Sequence, residues 1–270
     1  MAAEALWQVA IVRHGTLLST RAEMHRYPGD GREDEPRRVD YYFWIVSSAT
    51  RTVVIDTGFS TAAASRRGRT ATVDPARVLA WFGVTPDWDG EVVITHAHWD
   101  HTGQLAKLHR ATFVLSEAEL DYRRDESATD VGLTEPGDLE ALWIAETNGR
   151  VRAIDHAVEL HPGLTLIPAP GHTPGQLIVQ VNTPDGVVVL VSDAVHFDEE
   201  LRDRSPFAHM TDLRAAGQTY QLIEDIETVS SAVVVAGHEP DLLDRFSRIN
   251  GPLHDHVSVI GAPQKGTCHE

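Results

Sequence analysis

The chain has 270 residues, 42% hydrophobic and 23% charged, and carries a formal charge of −17 from 23 basic and 40 acidic residues. That is a globular composition with enough chain for a sizeable core, and its field disfavours phosphate backbones and anionic membrane surfaces, so a small or neutral substrate is expected rather than nucleic acid or membrane. No window approaches the ~20 apolar residues of a membrane span. The N-terminal segment lacks the basic and apolar halves of a secretory signal, and the single cysteine, Cys268, excludes an intrachain disulfide. A cytoplasmic protein follows as the expectation.

In chain order, residues 7–12 are apolar and read as a strand ending near His14-Gly15, and residues 21–40 read as a polar, exposed loop. Residues 41–46 and 52–55 predict two paired strands joined through the turn-like Ser47-Ser48-Ala49-Thr50. Asp74-Pro75 supplies a capping side chain and a first-turn proline for a helix running to Trp81. A short helix over 104–108, a strand over 112–115 and a capped helix start at Ser116 come next. Residues 126–148 are acidic and helix-prone in part, and read as a surface helix. Strands are predicted at 164–167, 177–181, 187–191 and 232–235, with helices over 211–228 and 240–246. There is no short-period repeat and no low-complexity linker, so residues 1–270 read as one domain with mixed α/β structure.

Directly after the apolar run Val92-Val93-Ile94 stands Thr95-His96-Ala97-His98-Trp99-Asp100-His101. Imidazole nitrogen and carboxylate oxygen suit zinc and its neighbours. In extended chain His96 and His98 point the same way, while Asp100 and His101 follow where the chain must turn. One short loop can therefore serve two adjacent ions. Three later segments also end an apolar run with a ligand type: Pro168-Ala169-Pro170-Gly171-His172, the strand before Asp193, and Val233-Val234-Val235-Ala236-Gly237-His238. Singly each is weak; together with the first motif they complete two metal shells.

With these residues and Val54-Ile55-Asp56-Thr57-Gly58, the chain from about Trp44 to His238 resembles the metallo-β-lactamase-fold superfamily of metallohydrolases. The resemblance implies an αββα sandwich, two mixed sheets with helices on their outer faces. It implies His96, His98 and His172 on one metal, Asp100, His101 and His238 on the second, Asp193 bridging, and Asp56 holding ligands in orientation. The expected cofactor is two zinc ions, with iron, manganese or cobalt as alternatives. Val191-Ser192-Asp193-Ala194-Val195-His196-Phe197 and Gly237-His238-Glu239-Pro240 look most like the N-acyl homoserine lactonase group, the quorum-quenching lactonases. Those enzymes imply hydrolysis of a lactone by a metal-bridging hydroxide, with Asp100 handling the proton, and a homodimer. Their better-known members contact substrate through a tyrosine three residues after the bridging aspartate. Here that position is His196, expected either to donate to a substrate oxygen or to be structural.

Three other readings stand beside this one. A thioesterase or other ester hydrolase of the same fold shares the ligands, and a mononuclear iron persulfide dioxygenase retains much of the motif. A metal-stabilised binding protein is the non-enzymatic reading, and the absence of cysteine ligands weighs against it. His209 and Phe207 are candidates for the pocket wall, as are Met24 and Tyr27 for a loop over the substrate, whereas His14 and His25 read as surface or core-edge residues.

Overall fold

The computed structural model describes residues 6–261 apart from 28, 30, 126 and 127. The start of the chain, Cys268, and parts of the turn at 27–31 lie outside the described residues. The chain opens with a long hairpin, β1 (Gln8–Thr20) against β2 (Pro36–Ser47), and continues through β3 (Thr52–Ile55), β4 (Thr70–Ala71), β5 (Glu91–Val93), β6 (Thr112–Ser116) and β7 (Val151–Ile154). A second sheet follows from β8 (Val158–His161), β9 (Leu164–Pro168), β10 (Leu177–Thr183), β11 (Gly186–Ser192) and β12 (Val233–Ala236). Two last strands, β13 (Ser247–Arg248) and β14 (Val257–Ile260), return to the first sheet beside β1. Both sheets are mixed: β3, β5, β6 and β7 run parallel beside the antiparallel hairpin, and β12 runs parallel to β11 beside the antiparallel β8–β11 meander.

Alternation along the strands produces the layers. Val9, Ile11, Trp44, Val46, Val53 and Ile55 from one sheet meet Leu166, Val179, Val181, Val188 and Leu190 from the other in a shared core. The residues between them, such as Ala10, Phe43, Ile45, Val54 and Val92, form the opposite face, covered by helices Pro75–Trp81 and Pro136–Thr147. The outer face of the second sheet lies under helix Leu213–Ser230 through Ala216, Tyr220 and Ile223. This is the αββα sandwich that the resemblance implies. Helix starts follow their caps: the side chain of Asp74 accepts from Ala76 N, that of Ser116 from Glu119 N, and that of Asp212 from Arg214 N and Ala215 N.

Several expectations are adjusted. β1 does not stop at His14-Gly15 but passes through it on a register shift between Arg13 and Gly15. Gly15 is needed there, because a Cβ would lie 2.2 Å from the Phe59 ring. The polar stretch 21–40 is shorter as a loop than expected, since β2 starts at Pro36. The helices expected at 104–108 and 240–246 are single 3-10 turns, Leu105–Lys107 and Leu242–Arg245. His14 and His25 are buried, His14 edge-on to Phe59 and His25 hydrogen-bonded to Glu199. No helix among the described residues is long and apolar enough to cross a membrane.

Candidate metal centre

The carboxyl ends of β3, β5, β11 and β12 and the loop from β9 to β10 converge at one rim of the sandwich, carrying Asp56, residues 95–101, Asp193, His238 and His172 respectively. All seven residues expected as ligands meet there, in two buried groups that share Asp193. One is His96, His98, His172 and Asp193; the other is Asp100, His101, Asp193 and His238. Within each group the ligand-type atoms lie within 4.8 Å of one another.

The outward nitrogens show which way each ring presents its lone pair. His98 Nε2–H donates to Asp130 Oδ2 at 2.6 Å, His172 Nδ1–H to the His209 carbonyl at 2.8 Å, His101 Nδ1–H to Asp56 Oδ2 at 2.8 Å, and His238 Nδ1–H to the Asp40 carbonyl at 2.8 Å. His96 Nδ1 faces Thr95 Oγ1 at 3.2 Å, a hydroxyl that donates onward to Asp56. In a neutral imidazole the second nitrogen is then an acceptor. His96 Nε2 and His172 Nε2 each stand 2.9 Å from His98 Nδ1, so three lone pairs face one another. Burial, reinforced by neighbouring imidazoles, holds His96 and His172 well below the ordinary histidine range and keeps them neutral. Burial opposes charge on His101 too, but the carboxylates of Asp193, Asp100 and Asp56 outweigh it and push that ring well above its usual value. His101 Nε2 and Asp193 Oδ1 are buried without a hydrogen-bond partner among the described residues. Converging lone pairs and carboxylates with unspent atoms are what divalent cations neutralise, so the donor set fits them.

Two of the four non-glycine residues with positive φ among the described residues lie at the same place. Asp56 and Ser192 have φ of 60° and 45°, a left-handed conformation that non-glycine residues adopt at a cost of about 1–3 kcal/mol. Hydrogen bonds offset it: Asp56 accepts from Thr95 N, Thr95 Oγ1 and His101 Nδ1, each at 2.8 Å. Asp56 thereby fixes the His101 ring directly and the His96 ring through Thr95.

Below the first group lies a network that sequence reading missed. Glu119, fully buried, accepts from Ala97 N at 2.9 Å, Thr173 Oγ1 at 2.6 Å and Arg123 Nε at 2.8 Å. Arg123 grips Asp130 with two N–H groups at 2.7 and 2.9 Å. Residues 126–148 are therefore not only a surface helix: Asp130 and Leu133, ahead of the helix, border the site.

The site opens into a cavity of about 90 Å³ lined by His98, Asp100, His172, Asp193, His196 and His238, with Leu17, Met24, Val39, Tyr41, Arg69, Trp99, Phe207 and His209 as the remaining walls that matter. A recess of about 400 Å³ adjoins it past His98 and His172, bordered by Arg26, Thr129, Leu133, His209 and Met210. His196 stacks on Phe207 at 3.6 Å and sets Nε2 3.3 Å from Asp193 Oδ2. Of the pocket candidates, Met24, Phe207 and His209 line the cavity, whereas Tyr27 is exposed.

Residues 37–238 match the family described as the Metallo-beta-lactamase superfamily. The chain belongs to that superfamily. Within the metallo-β-lactamase superfamily it is similar to the N-acyl homoserine lactonase of Bacillus cereus, 24% identical over 60% of each chain. It is also similar to the N-acyl homoserine lactonase AttM of Azorhizobium caulinodans, 25% identical over 63% of this chain and 65% of that one. The matches span about three-fifths of these relatives' length. Among solved structures, a quorum-quenching N-acyl homoserine lactone lactonase superposes with a TM-score of 0.73 at 17% identity, covering 89% of this chain and 95% of that one. AidC, a dizinc quorum-quenching lactonase solved with a product, gives 0.70 at 18% identity over 98% and 97%. At such identities the superpositions bear on the fold alone.

Proposed function

We propose that the chain is a metal-dependent lactonase that opens an N-acyl homoserine lactone or a related lactone at a centre of two divalent cations, zinc in the first instance. The observation that carries this reading is the pair of lone-pair clusters sharing Asp193 beside a cavity. In it, His96, His98 and His172 would hold one cation, Asp100, His101 and His238 the other, and Asp193 would serve both. The second cluster favours this over a dioxygenase that needs one iron, and the lactonase activity named for the relatives agrees with it.

Two bound cations would supply Lewis acidity, polarising an ester carbonyl and lowering the pKa of a water. The protein's own groups do the rest. Asp100 borders the cavity with Oδ2 3.7 Å from His101 Nε2 and 3.8 Å from His238 Nε2, so it can orient the attacking water and carry one of its protons to the leaving oxygen. His196, held flat against Phe207 with Nε2 3.3 Å from Asp193 Oδ2 and Nδ1 3.4 Å from Glu200 Oε1, borders the cavity and supplies a donor to a substrate oxygen. Leu17, Met24, Val39 and Phe207 exclude bulk water, and the recess past His98 and His172 receives the acyl side of the substrate.

Two experiments test the reading. The zinc-loaded protein, assayed on acyl homoserine lactones, aromatic lactones, simple esters and thioesters, is expected to act best on a lactone and to lose activity on chelation while the far-ultraviolet spectrum is retained. Thioesters hydrolysed in preference, or unfolding on chelation, would overturn it. Asp100→Asn is expected to lower kcat at least ~10²-fold, the scale of a lost general acid–base group, with the fold retained. Near wild-type turnover by that variant would remove Asp100 from the mechanism.

A further inference from the structure

Tyr41 lies on β2 with its side chain in the cavity wall, edge-on to His238 at 5.0 Å between ring centroids and to Phe59 at 5.2 Å. Its hydroxyl oxygen accepts a hydrogen bond from Arg69 Nε at 3.2 Å. Among the described residues the phenolic O–H has no acceptor, so the oxygen's accepting capacity is used while its hydrogen is unspent. Arg69 has no carboxylate partner among the described residues, so the Tyr41 oxygen is the one side-chain oxygen that it bonds there. Its guanidinium is held instead by the Arg67 carbonyl and by the face of Trp99, 5.7 Å from its Cζ to the ring centroid. A cation that bonds a phenol rather than an acid polarises the O–H and makes it a stronger donor.

The two sides of the cleft differ. Tyr41 and Arg69 border the cavity beside Asp100 and His238, whereas the large recess runs past His98 and His172 and touches neither of them. A lactone with its acyl substituent in the recess, as proposed above, would turn its alcohol end toward Tyr41. We propose, building on the lactonase reading, that Tyr41 is a substrate-contacting catalytic residue whose phenol donates a hydrogen bond to the leaving ring oxygen, and that Arg69 is the positioning residue behind it. The balance of the step is simple. The acyl C–O bond breaks with its electron pair on the ring oxygen, and one proton of the attacking water reaches that oxygen through Asp100. The other leaves to solvent from the new carboxylic acid, and Tyr41 keeps its own.

The test is Tyr41→Phe, which retains the ring against Phe59, Trp99 and His238. On alkyl lactones kcat/KM is expected to fall about a hundredfold, the scale of one lost oxyanion donor, with cation content unchanged. On aryl esters, whose phenolate leaving group needs little help, the loss should stay within roughly threefold, because the leaving oxygen gains less from a donor. Arg69→Gln should reproduce the same lactone-selective loss at smaller size. Calorimetry of an N-acyl homoserine, the open hydroxy acid, should show binding to Tyr41→Phe weakened about tenfold, as expected for one polarised hydrogen bond. Equal losses on lactones and aryl esters would mean a structural role, and no loss would mean no contact; either overturns the inference while leaving the lactonase reading intact. If the wild-type protein opens no lactone, that reading fails by itself. Hydroxy-acid binding then decides for Tyr41, weakened binding supporting the contact and unchanged binding overturning it.

Discussion

Asp193→Ala is expected to abolish cation binding at both halves of the site and lower lactone turnover by more than 10³-fold, by the proposed mechanism. Asp193 is the one residue common to both groups. Its oxygens stand 3.2 Å from His238 Nε2, 3.3 Å from His196 Nε2, 3.4 Å from His101 Nε2, 3.5 Å from His172 Nε2 and 3.8 Å from His96 Nε2. Burial opposes the charge on this carboxyl, but His238, His101 and His196 hold it well below the usual carboxylate range. The alanine variant leaves a concentration of imidazoles with no central anion, so on the proposed assignment each cation would lose a charged ligand and the repulsion between the two would go unscreened. The cost in affinity should exceed the roughly 10–100-fold of deleting a group that merely orients a ligand. Metal analysis after exhaustive dialysis checks this directly. Two equivalents of zinc retained by the variant would overturn the shared-ligand assignment, whatever its activity.

The parts of this site visible in the sequence are those where neighbours in the chain are neighbours in space. His96, His98, Asp100 and His101 share one loop, and period-two alternation after β5 already aims His96 and His98 together. His172, Asp193 and His238 each follow an apolar strand, so their convergence needed only the expectation that strand ends meet at one rim. Asp130 was invisible because its partner His98 is 32 residues away and it sits in an acidic, polar stretch like any solvated segment. Tyr41 is hidden among the aromatic residues of β2, and Arg69 looks like one more charge in an arginine-rich loop. The strands β7, β8, β13 and β14 were missed for a related reason. They are two to four residues long, interrupted by charged or polar side chains, and stabilised by pairing to distant partners rather than by local pattern. Within 126–148 the helix is confined to Pro136–Thr147, in keeping with a stretch that is helix-prone only in part, and Asp130 ahead of it is brought to the site by Arg123.

That same grip makes Glu119 the residue whose loss should hurt stability most. Glu119 joins three chain segments: the loop at Ala97, the loop at Thr173, and Arg123 on its own helix, which passes the charge on to Asp130 and so to His98. The Glu119–Arg123 pair is dry, with side-chain exposures of 0% and 2%. Deleting the acid strands a buried guanidinium with one acidic partner and unpairs an amide and a hydroxyl, a loss of about 3–5 kcal/mol for a broken buried pair. No side chain can relax into the gap from Gly175, whose backbone already packs so closely that a Cβ would sit 2.2 Å from Glu119 N. Glu119→Ala is therefore expected to unfold at clearly lower denaturant with an unchanged slope, and to bind its first cation more weakly because Ala97 lies between His96 and His98. Glu119→Gln keeps the volume and one acceptor, so it should lose only about 1–3 kcal/mol. Denaturant titrations of both variants separate the packing contribution from the charge. If Glu119→Ala unfolds at the wild-type midpoint, the network merely accompanies the fold, and His98 must owe its orientation to Asp130 alone.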